Sequence, residues 1–248
     1  METKKRQAVQ RLIKQEKVFF IFCGYTRMPF VECDEETKDD EISLFDKEDD
    51  AKTYSDQLNE EGNMTMPGNV PNKSFLSFFA GLIPMGVNCV RYQEENGEVY
   101  QIQVNEIVHR SADDKDAKDE ERVENPALHL TTLYLRQAMG RSQGEEPTQE
   151  ILDLDEEVLA HFNKSTFLMP LQEDYQMPLL KQKSGKIFQP LFTDASEYKK
   201  FDREGKYKPY RVEAKNLQKV LTKEADGLVI NPMGVNLFLN VETNEKPG

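Results

Sequence analysis

The pentapeptide Pro-Met-Gly-Val-Asn stands at residues 84–88 and again at 232–236. A chain that spells an uncommon word twice points to a repeated unit, and this constrains its fold more than any single motif does. Two further pairs keep nearly the same offset: Met28-Pro29 with Met177-Pro178, and Leu44-Phe45 with Leu191-Phe192. Nine positions beyond each Phe an aromatic follows, Tyr54 and Phe201. The expectation is one domain in residues 1–110, a charged run, helix and linker over 111–147, and a second domain over 148–248. The pentapeptide itself reads as a turn, with Pro pre-setting φ and Gly tolerating the positive φ that closes it. On that reading "AGLI" reverses into "VNCVRY" and "GLVI" into "VNLFL", so the same hairpin is built in each half.

Periodicity fills in the elements. Val9, Leu12 and Ile13 share one face of a short basic N-terminal helix, whose stripe is too narrow for a membrane anchor and suits packing on its own domain. "KVFFIFCG" is a dense β-branched and aromatic strand, followed by strands at "MPFVEC" and "EISLF". A helix then runs to Gly62, with Asp46 as its cap and Asp49 in its first turn. "MPGNVP" reads as a Pro- and Gly-rich connection. "GEVYQIQVNEIV" alternates as a strand entered through an "EENG" turn. Asn125-Pro126 opens a helix in "NPALHLTTLYLRQAMG", "RSQGEEP" is a linker, and Ile151, Leu154, Val158 and Phe162 align on the next helix. Strands at "STFLMPL", "YQMPLLKQ", "KIFQPLF", "YRV", "DGLVINP" and "VNLFLNVE" then alternate with helices at "TDASEYKKF", capped by Thr193 or Asp194, and "EAKNLQKVLTKEA". Short strands and helices joined by tight turns indicate an α+β fold, each half a small mixed or antiparallel sheet packed with helices.

Composition removes several function classes. The net charge is −13, and the acidic excess sits wholly before residue 163, chiefly in "ECDEETKDDE" (32–41) and "ADDKDAKDEERVE" (112–124). Such runs are solvated loops or a face for a basic partner, and nucleic acid, which needs a concentrated cationic surface, is disfavoured. No apolar stretch reaches membrane-spanning length and no secretory signal pattern opens the chain. Three cysteines, Cys23, Cys33 and Cys89, form no C-x-x-C pair and read as free buried thiols in a reducing cytoplasm. His109, His129 and His161 lie at no ligand spacing, and nucleophile-elbow, Walker and Rossmann patterns are absent from the sequence. Asp194 and Glu197, three apart, read as capping rather than an acid–base pair. No cofactor or metal is expected.

At "QPLFTDASEYKKF" and "ADGLVINPMGVNLFL" the second half resembles the N-terminal domain of the SseB family, named for enhanced serine sensitivity. The residues that carry the likeness are Pro190, Phe192, Thr193 and Asp194 at a helix opening, and Gly227 to Pro232 at a strand and turn. It covers about residues 163–241, and the first half reads as a diverged copy, with Ile83 where Asn231 would stand. The resemblance implies a bacterial, cytoplasmic α+β protein without an established catalytic activity, and it brings no catalytic residues.

Two function classes follow. One is a non-catalytic protein- or peptide-binding scaffold; the other is a small-molecule-binding protein or hydrolase using a cleft between the halves. The candidate turn or ligand-lining residues are Pro84, Gly86 and Asn88 in the first half, with Asp226, Asn231, Pro232, Gly234 and Asn236 in the second. Partners are an unidentified protein or a second copy in a weak, salt-sensitive dimer, since the halves differ in charge.

Overall fold

A computed structural model describes residues 2–109, 122–144, 146–173 and 176–240. Most of the expected run 112–124 falls outside the described residues. The first half contains α1 (Glu2–Leu12), β1 (Lys17–Cys23), β2 (Met28–Pro29), β3 (Glu32–Cys33), β4 (Asp40–Phe45), α2 (Glu48–Glu60), β5 (Thr65–Pro71), α3 (Phe75–Met85), β6 (Cys89–Gln93), β7 (Val99–Gln103) and α4 (Val104–Ile107). Then come α5 (Pro126–Arg141), α6 (Gln149–Phe162), β8 (Thr166–Leu171), β9 (Leu180–Lys181), β10 (Ile187–Leu191), α7 (Ala195–Phe201), β11 (Lys208–Glu213), α8 (Leu217–Val220), β12 (Gly227–Ile230) and β13 (Leu237–Asn240). The class is α+β, as the alternation predicts.

Strand pairing follows one plan in each half. In the first, the path is β5-β1-β4-β6-β7, antiparallel except for the parallel β4–β6 pair. In the second, β11 pairs antiparallel with β8, β10 pairs parallel with β12, and β12 pairs antiparallel with β13. A single antiparallel bridge, Leu168 to Phe192, joins the two sets, so the path is β11-β8-β10-β12-β13. A 3-10 turn precedes α3 (Asn72–Ser74) and α8 (Ala214–Asn216) alike. Leu44-Phe45 closes β4 and Leu191-Phe192 follows as the close of β10, the anchors picked out by spacing.

The pentapeptide, however, is not the same hairpin built twice. Residues 84–88 end α3 and enter β6, with Gly86 at φ 85 as a left-handed C-cap whose N–H bonds the carbonyl of Ile83. A glycine at that position is the ordinary helix stop. Any Cβ there would also lie 2.6 Å from the carbonyl oxygen of Pro126, where α5 passes. Residues 232–236 instead connect β12 to β13, and the left-handed positions are Asn231 (φ 47) and Asn236 (φ 51), which the short amide side chain tolerates. Gly234 answers to crowding, because a Cβ would meet the Glu197 carboxylate at 2.6 Å. The words agree because both sites need a sharp chain reversal, and chain reversals share a small alphabet.

Two neighbouring expectations fall with it. "AGLI", expected as a strand, lies within the helix α3, whose buried Phe75, Phe79, Leu82 and Met85 fall at helical spacing. "TMPGNVP" is the strand β5, paired with the whole of β1. Its prolines are tolerated because β5 is the sheet edge. Asp46 is no cap: Lys47 takes that position without a side-chain bond, and Asp46 accepts from Tyr92, Gln15 and the Glu95 amide instead. "EAKNLQKVLTKEA" forms only the 3-10 turn and the one-turn α8. Of the three thiols, Cys23 and Cys89 are buried but Cys33 is exposed.

The core runs through both halves, from Leu12, Leu44 and Tyr92 to Phe167, Leu191 and Ile230. α5 is the element that ties them. Gln137 exchanges two hydrogen bonds with the backbone of Val31, and Tyr134 donates to Asp40 at 2.7 Å. At the other end, Asn125 donates to the carbonyls of Thr166 and Thr193. The basic residues of α1 lie on the first half itself, Lys5 against Glu106 and Arg11 against Glu94.

Candidate functional site

The residues expected to line a cleft are mostly spoken for. Asn231 is fully buried; its Oδ1 accepts from the Thr193 amide at 3.0 Å and its Nδ2 donates to the Thr193 hydroxyl at 2.8 Å. Asn88 accepts from the Asp40 amide and donates to Asp39. Asp226 accepts from the Ile187 amide at 2.9 Å, closing the entry to β10. The backbone N–H of Asn236 donates to the carbonyl of Asn231. Asn231 is thus a bracket between the β12 end and the β10–α7 turn, through side-chain bonds to a residue 38 positions away.

The concave surface lies elsewhere, where α3 of the first half faces α7 of the second. A cavity of about 860 Å³ is walled by Leu76, Ala80, Ile83 and Pro84 on one side and by Ala195 and Tyr198 on the other. Leu76 is 73% exposed, a large apolar side chain turned to this space from a helix whose other face is core. A smaller cavity of about 300 Å³ lies against it, sharing Pro84, Asp194 and Ser196. Of the eight residues expected to line a site, Pro84 lines both cavities. Gly86 and Asn88 line a separate depression beside Pro126. The five from Asp226 to Asn236 line none of these three.

A buried polar cluster sits between the cavities and the core. Asp194 caps α7, its Oδ1 accepting from the amides of Ser196 and Glu197 at 2.8 and 3.0 Å. Its Oδ2 accepts from the Thr193 hydroxyl at 2.8 Å and faces Nδ1 of His129 at 3.3 Å. Burial pushes the Asp194 carboxyl up, but the bonds from His129, the Glu197 amide and Thr193 outweigh it and hold it below its ordinary value. It is therefore ionised and faces Nδ1 of His129, whose Nε2 has no partner among the described residues. Glu197, 2% exposed, pairs through Oε1 with Lys200. Capping, expected of Thr193 or Asp194, falls to Asp194 and is joined by a buried side-chain contact with a histidine from α5. Sequence reasoning missed His129 because it stands 65 positions away on another element, and no spacing links the two.

A model of the SseB protein N-terminal domain matches residues 108–243, from before α5 through β13. No curated protein matches the chain. Among solved structures, Tic22 from Plasmodium falciparum matches with 12% identity, 90% of each chain covered and a TM-score of 0.23. Anabaena Tic22 (protein transport) matches with 10% identity, 91% of each chain covered and a TM-score of 0.23. Scores at that level carry no argument about this chain. The family match takes in more than half of the sequence, including the Thr193-Asp194 helix opening and the Gly227 to Pro232 strand and turn. The chain belongs to the SseB family.

Proposed function

We propose that this protein is a non-catalytic binding module whose docking surface is the cleft between α3 and α7, and that its occupant is an apolar segment of another protein. The observation that carries this is Leu76: a leucine 73% exposed beside Ala80 and Ile83, facing a cavity of about 860 Å³ whose lining also includes Arg122, Glu124, Lys199 and Asp202. Exposed apolar surface gathered in one concavity is the usual mark of a partner site. The shared strand order supports reading residues 1–107 as a diverged copy of the matched domain, so that the cleft is the seam between two related units. No helix among the described residues is long and apolar enough to cross a membrane, and we place the protein in the cytoplasm of a bacterium on the family resemblance.

A hydrolase is the weaker reading. His129 and Asp194 form a dyad, but no hydroxyl or thiol among the described residues bonds Nε2 of His129, so a nucleophile is not in place. Selection of a random peptide library on the immobilised full chain tests the docking reading, with Leu76→Asp as its control. Wild type is expected to enrich apolar sequences that the variant does not retain. Equal enrichment on both, or none on wild type, would remove the cleft as the binding surface.

A further inference from the structure

The side chains of β4 alternate across the sheet. Ile42 and Leu44 point into the core, so Glu41 and Ser43 lie on the other face. Register extends that face to the neighbouring strands. Glu32 of β3 and Cys89 of β6 stand opposite Glu41, and Arg91 of β6 stands opposite Ser43. On β7, Gln101 stands opposite Arg91 and Gln103 opposite Cys89. The turn between β3 and β4 crosses this polar face. Asp34 accepts from Gln101 and Asp39 from Gln103, each at 2.8 Å, although β6 separates β7 from β4. Residues 34–39 thus lie as a strap over Glu41, which is 5% exposed. The turn holds its own shape through Oδ1 of Asp34, which accepts from the amides of Glu36 and Thr37.

The strap's attachment is slight. β3 is two residues long and pairs with β4 alone among the described residues, which sets this segment at the low end of local stability. Beneath it, Glu41 faces Glu32 from β3 and Asp34 from the turn, with Arg91 as the cation and the Cys89 thiol beside it on β6. α2 adds Tyr54, whose hydroxyl donates to Glu32 at 2.7 Å and whose ring lies 5.5 Å from the Arg91 guanidinium. Oε2 of Glu41 has no partner among the described residues. A charge on this carboxyl is therefore both desolvated and set beside two other carboxylates that share one cation. Burial and then the Asp34 charge push Glu41 up to about 7. Asp34 itself, held below its ordinary value chiefly by the Thr37 amide, stays charged near neutral pH. Burial raises Glu32 as well, so it titrates in the same sense as Glu41.

We propose that residues 34–39 form a pH-sensitive strap, latched while Glu41 holds its proton and released from β4, β6 and β7 when Glu41 ionises beside Glu32 and Asp34. The proton binds more tightly under the closed strap than in the released form, where the carboxyl titrates at its ordinary 4.5. Its contribution to closure is complete below pH 4.5 and is lost as pH rises through 7. Release uncovers the Cys89 thiol and the Arg91 guanidinium while the core face of the sheet stays packed.

Native-state hydrogen exchange of the full chain, followed from pH 5.5 to 8 at fixed salt and corrected for intrinsic rates, reads the opening. The amides to follow are Asp34, bonded to the Asp39 carbonyl, Lys38, bonded to the Asp34 carbonyl, and Asp40, bonded to Asn88. Their protection should fall about 25-fold over that range. It should also stay below that of the β10 and β12 amides and be nearly independent of low urea, the mark of a local opening. Glu41→Gln should remove most of the fall. Should this variant not fold, the pH and urea dependence within wild type still decide. Protection that stays constant with pH, or a variant as pH-dependent as wild type, overturns the proposal. So does strap exchange with the protection and urea dependence of β10 and β12, because the strap would then open only when the whole chain unfolds.

Discussion

Glu41 gives the most quantitative check on the packing of the first half. It lies on β4 between Glu32 of β3 and Cys89 of β6, and is 5% exposed. Burial, and then the nearby Asp34 charge, push its carboxyl from an ordinary 4.5 up to about 7, with Arg91 opposing and Glu32 adding to the rise. A raised carboxyl binds its proton more tightly folded than unfolded. Its contribution to stability is therefore complete below pH 4.5 and is lost as pH rises through 7. At about 1.4 kcal/mol per pH unit, the full effect is about 3 kcal/mol, of which about 2 kcal/mol falls between pH 5.5 and 8. Glu41→Gln replaces the neutral acid with a group that does not titrate. Urea unfolding of wild type and variant at fixed salt, at several values from pH 5.5 to 8, isolates this one group in the difference. The variant's stability relative to wild type should climb by about 2 kcal/mol over that range. A difference that stays flat would mean that Glu41 is ionised in the fold at its ordinary pH, and the account of its burial would fail.

Other outcomes follow from the same structure. Gly86→Ala places a Cβ 2.6 Å from the Pro126 carbonyl at a φ of 85, and should cost about 2 kcal/mol or more in urea unfolding; a loss under about 0.5 kcal/mol would contradict the close approach of α3 to α5. Asp194→Ala removes the α7 cap and the partner of His129 and Thr193, for a loss of about 3 kcal/mol near neutral pH. Because the Asp194 carboxyl is held below its ordinary 3.8, that loss should be complete above pH 3.8 and shrink as pH falls through its folded value. Leu76→Asp, at an exposed position, should leave the unfolding midpoint within about 0.5 kcal/mol of wild type while removing peptide enrichment. Sedimentation at low salt should show weak self-association between the acidic first half and the rest, fading as salt is added; a monomer at low ionic strength would exclude it.

The history of the twin pentapeptide shows what one-dimensional pattern can carry. Leu44-Phe45 and Leu191-Phe192 end equivalent strands because a strand entering a helix needs bulky apolar residues where it leaves the core. The pentapeptide matched for a different reason, since Pro, Gly and Asn serve any sharp reversal, whether it stops a helix or joins two strands. The strand expected at "AGLI" rests on reading Pro84 and Gly86 as a turn, whereas packing of Phe75, Phe79, Leu82 and Met85 into the core sets a helix that runs through Pro84 to Met85.

Local chemistry in the sequence carried the α+β class, strands such as "KVFFIFC", "EISLF" and "KIFQPL", the Asn125-Pro126 helix start and a cap at Thr193 or Asp194, of which the structure uses Asp194. These depend on neighbours a few positions apart, and propensity acts over that range. Which faces meet, and so where the cleft opens, was settled only by the fold. His129 reaches Asp194, and Leu76 reaches Tyr198 across a shared cavity, because α5 is buried between the halves and holds them in one arrangement. Contacts at such separation leave no periodic trace along the chain, since any residue of suitable size on the right face would be written the same way.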